Sequence, residues 1–236
     1  MKLILLLLSS LKFGKLLTTG GTMIVSVVMY AFVYGWQYAV GFVGLIFVHE
    51  MGHYLAAKQK GLDVGVPVFI PFVGAWIALK EMPHDAEMEA YIGLGGPLVG
   101  SIGALACYFA AREWNSMLLL AISYSGFFLN LFNLIPVPPL DGGRITAVLS
   151  PRLWLLGLPI LVAVFFYHPN PMLILIAVLA IPQVWRYFKN KEENPEEQAY
   201  YDVPLETKIM YGTYYLALLI FLAMMVDGVH QLLQRR

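Results

Sequence analysis

Apolar runs close to twenty residues long recur along this 236-residue chain, and they limit its folding more than any other feature. A helix needs about 20 mostly apolar residues to cross the hydrocarbon core of a bilayer, with a working range of roughly 17 to 25. The candidate spans are 16–36, 37–58, 90–111, 116–135, 154–167, 172–187 and 209–227. The fifth and sixth are short and hold Pro159 and Pro182, so they read as tilted, broken or one re-entrant pair. Composition agrees. Only 13% of the residues are charged, against about 25% in soluble domains. With 15 basic and 15 acidic residues the chain lacks the electrostatic footprint of a nucleic-acid binder. Its single cysteine excludes an internal disulfide framework. The expected fold class is all-α, a polytopic helical membrane protein with about six or seven transmembrane segments.

Charge placement tests that topology. With the N-terminus in the cytoplasm and every candidate crossing, Lys2, Lys12, Lys15, Lys58, Lys60, Lys80, Arg144, Arg152, Arg186, Lys189, Lys191 and Lys208 fall inside, and only Arg112, Arg235 and Arg236 fall outside. That asymmetry follows the positive-inside rule. Trp36, Trp114, Trp154 and Trp185 lie near expected span ends, where an amphipathic ring suits the interface. The expected location is therefore a cell membrane with the N-terminus inside. Residues 1–10 lack a small-residue cleavage site and read as an interfacial lead-in to the first span rather than a signal peptide. Residues 189–208, acidic and with two prolines, read as a solvated connector. One integral-membrane domain, 1–236, is expected, with a core at about 16–150 and C-terminal helices at about 151–236.

The second run contains residues the bilayer disfavours. His49, Glu50 and His53 form HEMGH inside the stretch 41–58. Positions i and i+4 lie on one face of a helix, so two imidazoles at that spacing reach one metal ion with the glutamate beside it as general base. Ionisable groups at membrane depth are costly and usually functional. A catalytic zinc site wants three protein ligands and one open position. His168 falls at the opposite face and His230 beyond the last span, while His84, in a cytoplasmic loop, stays in reach. The better third ligand is Asp141, in NLIPVPPLDGGR at 133–144. It follows the fourth span, which runs in the same direction as the second. Pro136, Pro138 and Pro139 stop that helix, and Gly142 and Gly143 permit a tight return.

HEMGH in an apolar span, then GGPLVG at 95–100, then NLIPVPPLDGGR, resembles the site-2 protease family of intramembrane zinc metalloproteases. The likeness covers most of residues 40–150 in order and spacing, in a compact form without the PDZ or CBS domain of many relatives. It implies one Zn2+ per chain held by His49, His53 and Asp141, with Glu50 as catalytic base. It also implies that Asn133 helps position the substrate or its oxyanion. The expected function is hydrolysis of peptide bonds within or near transmembrane segments of membrane-protein substrates, in contact with the lipid bilayer. The alternative is a zinc transporter or sensor without proteolysis, which has no need of Glu50 and is disfavoured by the uniformly apolar outer halves of the spans. Many relatives carry asparagine where this chain has Gly100, and the small residues Gly96, Gly100 and Ala104 at i, i+4 and i+8 argue close helix packing, with Pro97 adding a kink. Residues 66–79 are too short to cross and too apolar for water. They read either as a hairpin or re-entrant loop beside the site, able to accept an unwound peptide by strand addition, or as a packed loop without that role.

Overall fold

A glycine separates the first two long helices. α1 (Lys2–Tyr34) ends one residue before α2 (Trp36–Gln59) begins, and the joint, Gly35, has φ 84°, a conformation natural to glycine. In the computed structural model, which describes residues 2–79, 81–167, 169–190 and 195–235, the two helices pack against each other. The stretch expected as a lead-in to the first span is, from Lys2 onward, the first part of α1.

α2 stops through a paired cap. The amide of Gly61, at φ 80°, donates to Lys58 O, and that of Leu62 donates to Ala57 O. Together they satisfy carbonyls the helix end would leave open. Leu62 is buried against Ala56 and Ala57. This stop comes less than two turns after His53 and launches a two-stranded antiparallel hairpin, β1 (Val64–Ile70) and β2 (Gly74–Leu79). Residues 66–79 are thus a hairpin. The outer edge of β1 is tied to α1: Thr19 Oγ1 donates to Pro67 O at 2.8 Å, and Phe69 N donates to Thr22 Oγ1 at 3.2 Å. Pro67 pairs with Ile77, and the amide it lacks falls on that same outer edge, where the ladder does not need it.

α3 (Ala86–Glu113) starts where Asp85 accepts from Met88 N at 2.7 Å and runs straight through Pro97 as one helix. It is the central element, packed against α2, α4 (Met117–Asn133) and α5 (Asp141–Leu149). The rest of the chain forms α6 (Trp154–Tyr167), α7 (Pro171–Asn190), the short α8 (Pro195–Tyr200) and α9 (Leu205–Gln234). α9 closes a core with α3 and α4 around Phe127, Leu134 and Leu222.

Among the described residues, five helices are long and apolar enough to cross a membrane: α1 over 17–34, α2, α3, α7 and α9. α4 and the stretch 151–166 are shorter apolar helices. The protein is a multi-pass, all-α membrane protein with a small β-hairpin, as its apolar runs predict. Two details, in α7 and α9, differ from expectation, while α6 is as short as expected. α7 continues through Pro182 and reaches spanning length, forfeiting there only the one amide donor that proline lacks. α6, with 14 residues, rises only about 21 Å, short of the hydrocarbon core. α9 extends beyond 227, so His230 lies within it, its ring near Tyr124 and its Nε2 2.8 Å from Gln234 Nε2.

Candidate metal centre

His49 and His53 occupy one face of α2, both buried, at 4% and 8% exposure. Their Nε2 atoms stand 3.1 Å apart. Each has its other ring nitrogen engaged: His53 Nδ1 donates to Ile92 O on α3 at 2.7 Å, and His49 Nδ1 is 2.8 Å from Asn130 Oδ1 on α4. With both Nδ1 atoms bonded to acceptors, the Nε2 lone pairs of the two rings converge.

The third donor arrives by the return after α4. That helix ends at Asn133, the proline-rich stretch 134–140 reverses the chain, and Asp141 opens α5. A carboxylate in the first turn of a helix is favoured by the helix dipole. Asp141 is 6% exposed. Its Oδ2 lies 3.2 Å from His49 Nε2 and its Oδ1 3.2 Å from His53 Nε2. Gly142 and Gly143 serve this turn by close approach. Both are helical, and a Cβ on either would overlap the backbone of 134–138. Two buried hydrogen bonds hold the turn from outside: Tyr215 of α9 donates its phenol to Leu134 O at 2.7 Å, and Trp154 donates Nε1 to Gly143 O at 2.8 Å. Trp154 is buried, unlike Trp36, Trp114 and Trp185, which are exposed as a belt requires. Its indole N–H is needed inside.

Two facing imidazole lone pairs and a carboxylate at 3.1–3.2 Å repel one another unless a cation lies among them. Ligands about 2.0–2.1 Å from a tetrahedral zinc stand about 3.3 Å apart, so this donor set has the right chemistry and the right spacing. Among the described residues, His49, His53 and Asp141 are the one group of this kind. His84 is exposed in the loop before α3 and takes no part in it, and His168 lies outside the described residues.

Glu50 follows His49 on α2 and is buried at 8% exposure. Asn133 sits at the last turn of α4, partly buried, and donates one amide hydrogen back to Leu129 O at 3.1 Å. It does not touch the three donors. The asparagine that does is Asn130, one turn earlier and 1% exposed, a residue to which no sequence motif drew attention. Its signal in the sequence is an amide within a mostly apolar span, the same kind of signal that marks HEMGH.

The small residues of α3 take on a definite meaning here. A Cβ on Gly96 would overlap the His53 ring, and one on Gly100 the Asn130 amide; Ala104 packs against Gly126 of α4. Gly95 and Gly52 bring the backbones of α3 and α2 into contact. The helix packing expected from this stripe is real, and it also makes room for the polar side chains of the centre. At the other end of the α3–α5 contact, Tyr200 of α8 donates to Glu89 Oε2 at 2.8 Å, and Glu89 Oε1 lies 3.9 Å from Arg144 Nε. Burial, reinforced by the Glu89 carboxylate, pushes the Tyr200 phenol well above its ordinary range.

Known proteins are similar to this chain. Residues 37–113 match the family model described as Peptidase family M50. A zinc metalloprotease of Methanocaldococcus jannaschii is 34% identical over 113 residues, covering 45% of this chain and 32% of its own. Two probable chloroplastic zinc metalloproteases of Arabidopsis thaliana are 35% identical over 68 residues and 26% over 198, covering 27% and 57% of this chain. The chain spans between 12% and 36% of the length of these curated relatives. Among solved structures, the site-2 protease from Methanocaldococcus jannaschii is similar at a TM-score of 0.48 and 23% identity, over 70% of this chain and 85% of that one. The relatives are named as zinc metalloproteases, and the His-His-Asp donor set of this chain suits that metal. Over residues 37–113, which hold HEMGH and the bare stripe of α3, the chain is similar to peptidase family M50, and it is similar over longer stretches to zinc metalloproteases.

Proposed function

We propose that this chain is a zinc metalloendopeptidase that hydrolyses peptide bonds within or near transmembrane segments of membrane-protein substrates, inside a cell membrane and with its N-terminus in the cytoplasm. The observation that carries the reading is the buried cluster of His49, His53 and Asp141, with the buried carboxylate of Glu50 next to His49 on α2, in a mostly apolar span. A transporter or sensor needs the ligands alone. A carboxylate beside two ligand imidazoles is what hydrolysis adds.

In this reading His49, His53 and Asp141 hold Zn2+. The bound ion supplies Lewis acidity, which polarises a carbonyl and brings the pKa of water toward about 7. Glu50 accepts the proton of the attacking water and returns it to the leaving nitrogen, restoring its own carboxylate. Asn133 commits one amide hydrogen to Leu129 O and keeps the second free to meet a substrate carbonyl. The hairpin offers the extended peptide a strand to pair with. Because α1 already occupies the outer edge of β1 through Thr19 and Thr22, the edge left for pairing is that of β2.

The test separates metal from base. Glu50→Gln should keep wild-type zinc content and lower cleavage of a membrane-embedded reporter by about 10²–10⁴-fold. Asp141→Ala should lose zinc. Full cleavage by Glu50→Gln sinks the hydrolytic reading, and transport of zinc into vesicles without any cleavage installs the alternative in its place.

A further inference from the structure

We propose that Asn130, in a space left open by Gly100, is a positioning residue that fixes which nitrogen of His49 faces the metal. The inference rests on the zinc centre described above and extends it to α4.

The amide of Asn130 has both ends committed. Nδ2 donates to Gly126 O one turn back on α4 at 2.7 Å. The amide cannot rotate without losing that bond, so Oδ1 is held toward α2, 2.8 Å from His49 Nδ1. An amide oxygen only accepts, so Nδ1 carries the ring proton and Nε2 keeps its lone pair. That Nε2 is the atom 3.2 Å from Asp141 Oδ2 and 3.1 Å from His53 Nε2. A second-layer acceptor on a ligand histidine sets both tautomer and ring orientation.

The two histidines are held by different means. His53 donates to a main-chain carbonyl, Ile92 O, which no substitution deletes. His49 depends on a side chain from a third helix, and that side chain needs a gap. A Cβ at position 100 would fall on Oδ1, Nδ2 and Cγ of Asn130, so α3 must be bare where α4 supplies the amide. Asn130 is 1% exposed and Gly100 is buried with it, so water cannot replace either bond. Gly100 and Asn130 therefore work as a pair, one by lacking a side chain and the other by filling the space.

The experiment measures Zn2+ affinity of the purified full chain by competition with a chromophoric chelator, alongside the thermal midpoint of the metal-free protein. Asn130→Leu and Gly100→Ala should each weaken Zn2+ binding about 10–100-fold, the range for lost second-layer partners. Asn130→Asp, which keeps an acceptor for Nδ1, should bind much more tightly than Asn130→Leu. In an Asn130→Ala background, Gly100→Ala should add nothing, since the amide it displaces is gone. Wild-type affinity in Asn130→Leu or Gly100→Ala overturns the assignment. So does a loss of affinity no larger than the accompanying drop in the metal-free midpoint, which marks a packing role alone. If Asn130→Leu does not fold, Gly100→Ala and Asn130→Asp decide the matter between them. A wild-type chain that binds no zinc would instead remove the centre itself, an outcome distinct from wild-type binding in the variants.

Discussion

The α2–α5 half of the molecule and the α6–α7 pair answer the same solvent in opposite ways. Around α3, helices touch backbone to backbone through Gly52, Gly95 and Gly96, and the space so created holds two histidines, two carboxylates and an amide. α6 and α7 meet mainly through larger apolar side chains, Leu161, Leu173 and Ile176, with Ala180 among them, and expose Leu156, Val162, Val178 and Ile181. Lipid gives no hydrophobic reward for bringing helices together, so close contact needs small residues and polar links. The first half has both and is built for precision. The second has few of either across most of its surface, and it meets the turn before Asp141 at its root, where Trp154 reaches Gly143 O, Gly157 lies against the backbone of Pro136, and Leu161 and Leu173 pack with Val137 and Leu140.

Three substitutions probe that contrast. The largest effect should come from Gly52→Val, whose side chain would drive into the α3 backbone at Gly95. We expect a loss of about 3 kcal/mol or more from overpacking, with zinc content falling in step. Normal thermal stability and zinc would mean the α2–α3 contact is looser than described. Trp154→Phe should be intermediate. It removes the bond to Gly143 O while keeping most of the ring, so a destabilisation of about 1 kcal/mol is expected, with reduced zinc affinity through Asp141. An effect on stability with zinc affinity untouched would detach α6 from the centre altogether. The smallest should be Val178→Ala on the exposed face of α7, within about 0.5 kcal/mol by thermal denaturation. A control within α2 sharpens the first case. Gly44 has open space around it, so Gly44→Ala should be neutral or stabilising by up to about 1 kcal/mol.

What the sequence disclosed depended on range. HEMGH is read from one helical turn, and its two histidines do share a face with the Nε2 atoms at 3.1 Å. Asp141 was within reach because prolines and glycines are local signals for a return, although its glycines serve close approach rather than positive φ. Asn130 was not legible. Its role depends on how α4 is rotated against α2 and α3, and no pattern within α4 encodes that rotation. Trp154 looked like a belt residue for the same reason: its position near a span end is local information, while its bond to Gly143 O belongs to the fold around it. Pro182 misled in the other direction, since the one amide donor that proline lacks does not stop α7.

The bare stripe on α3 carries a consequence for mutational tolerance. Gly96 and Gly100 are written in the sequence as omissions, each the imprint of a side chain that belongs to another helix. A saturation scan of α3 should therefore invert the usual expectation for a membrane helix. Its large exposed residues, such as Leu98, Ile102 and Phe109, should accept many apolar replacements, while the two positions that contribute no atoms of their own should accept almost none. Every residue admitted there is a displacement of His53 or Asn130, so the most informative letters for this centre are those that leave it empty.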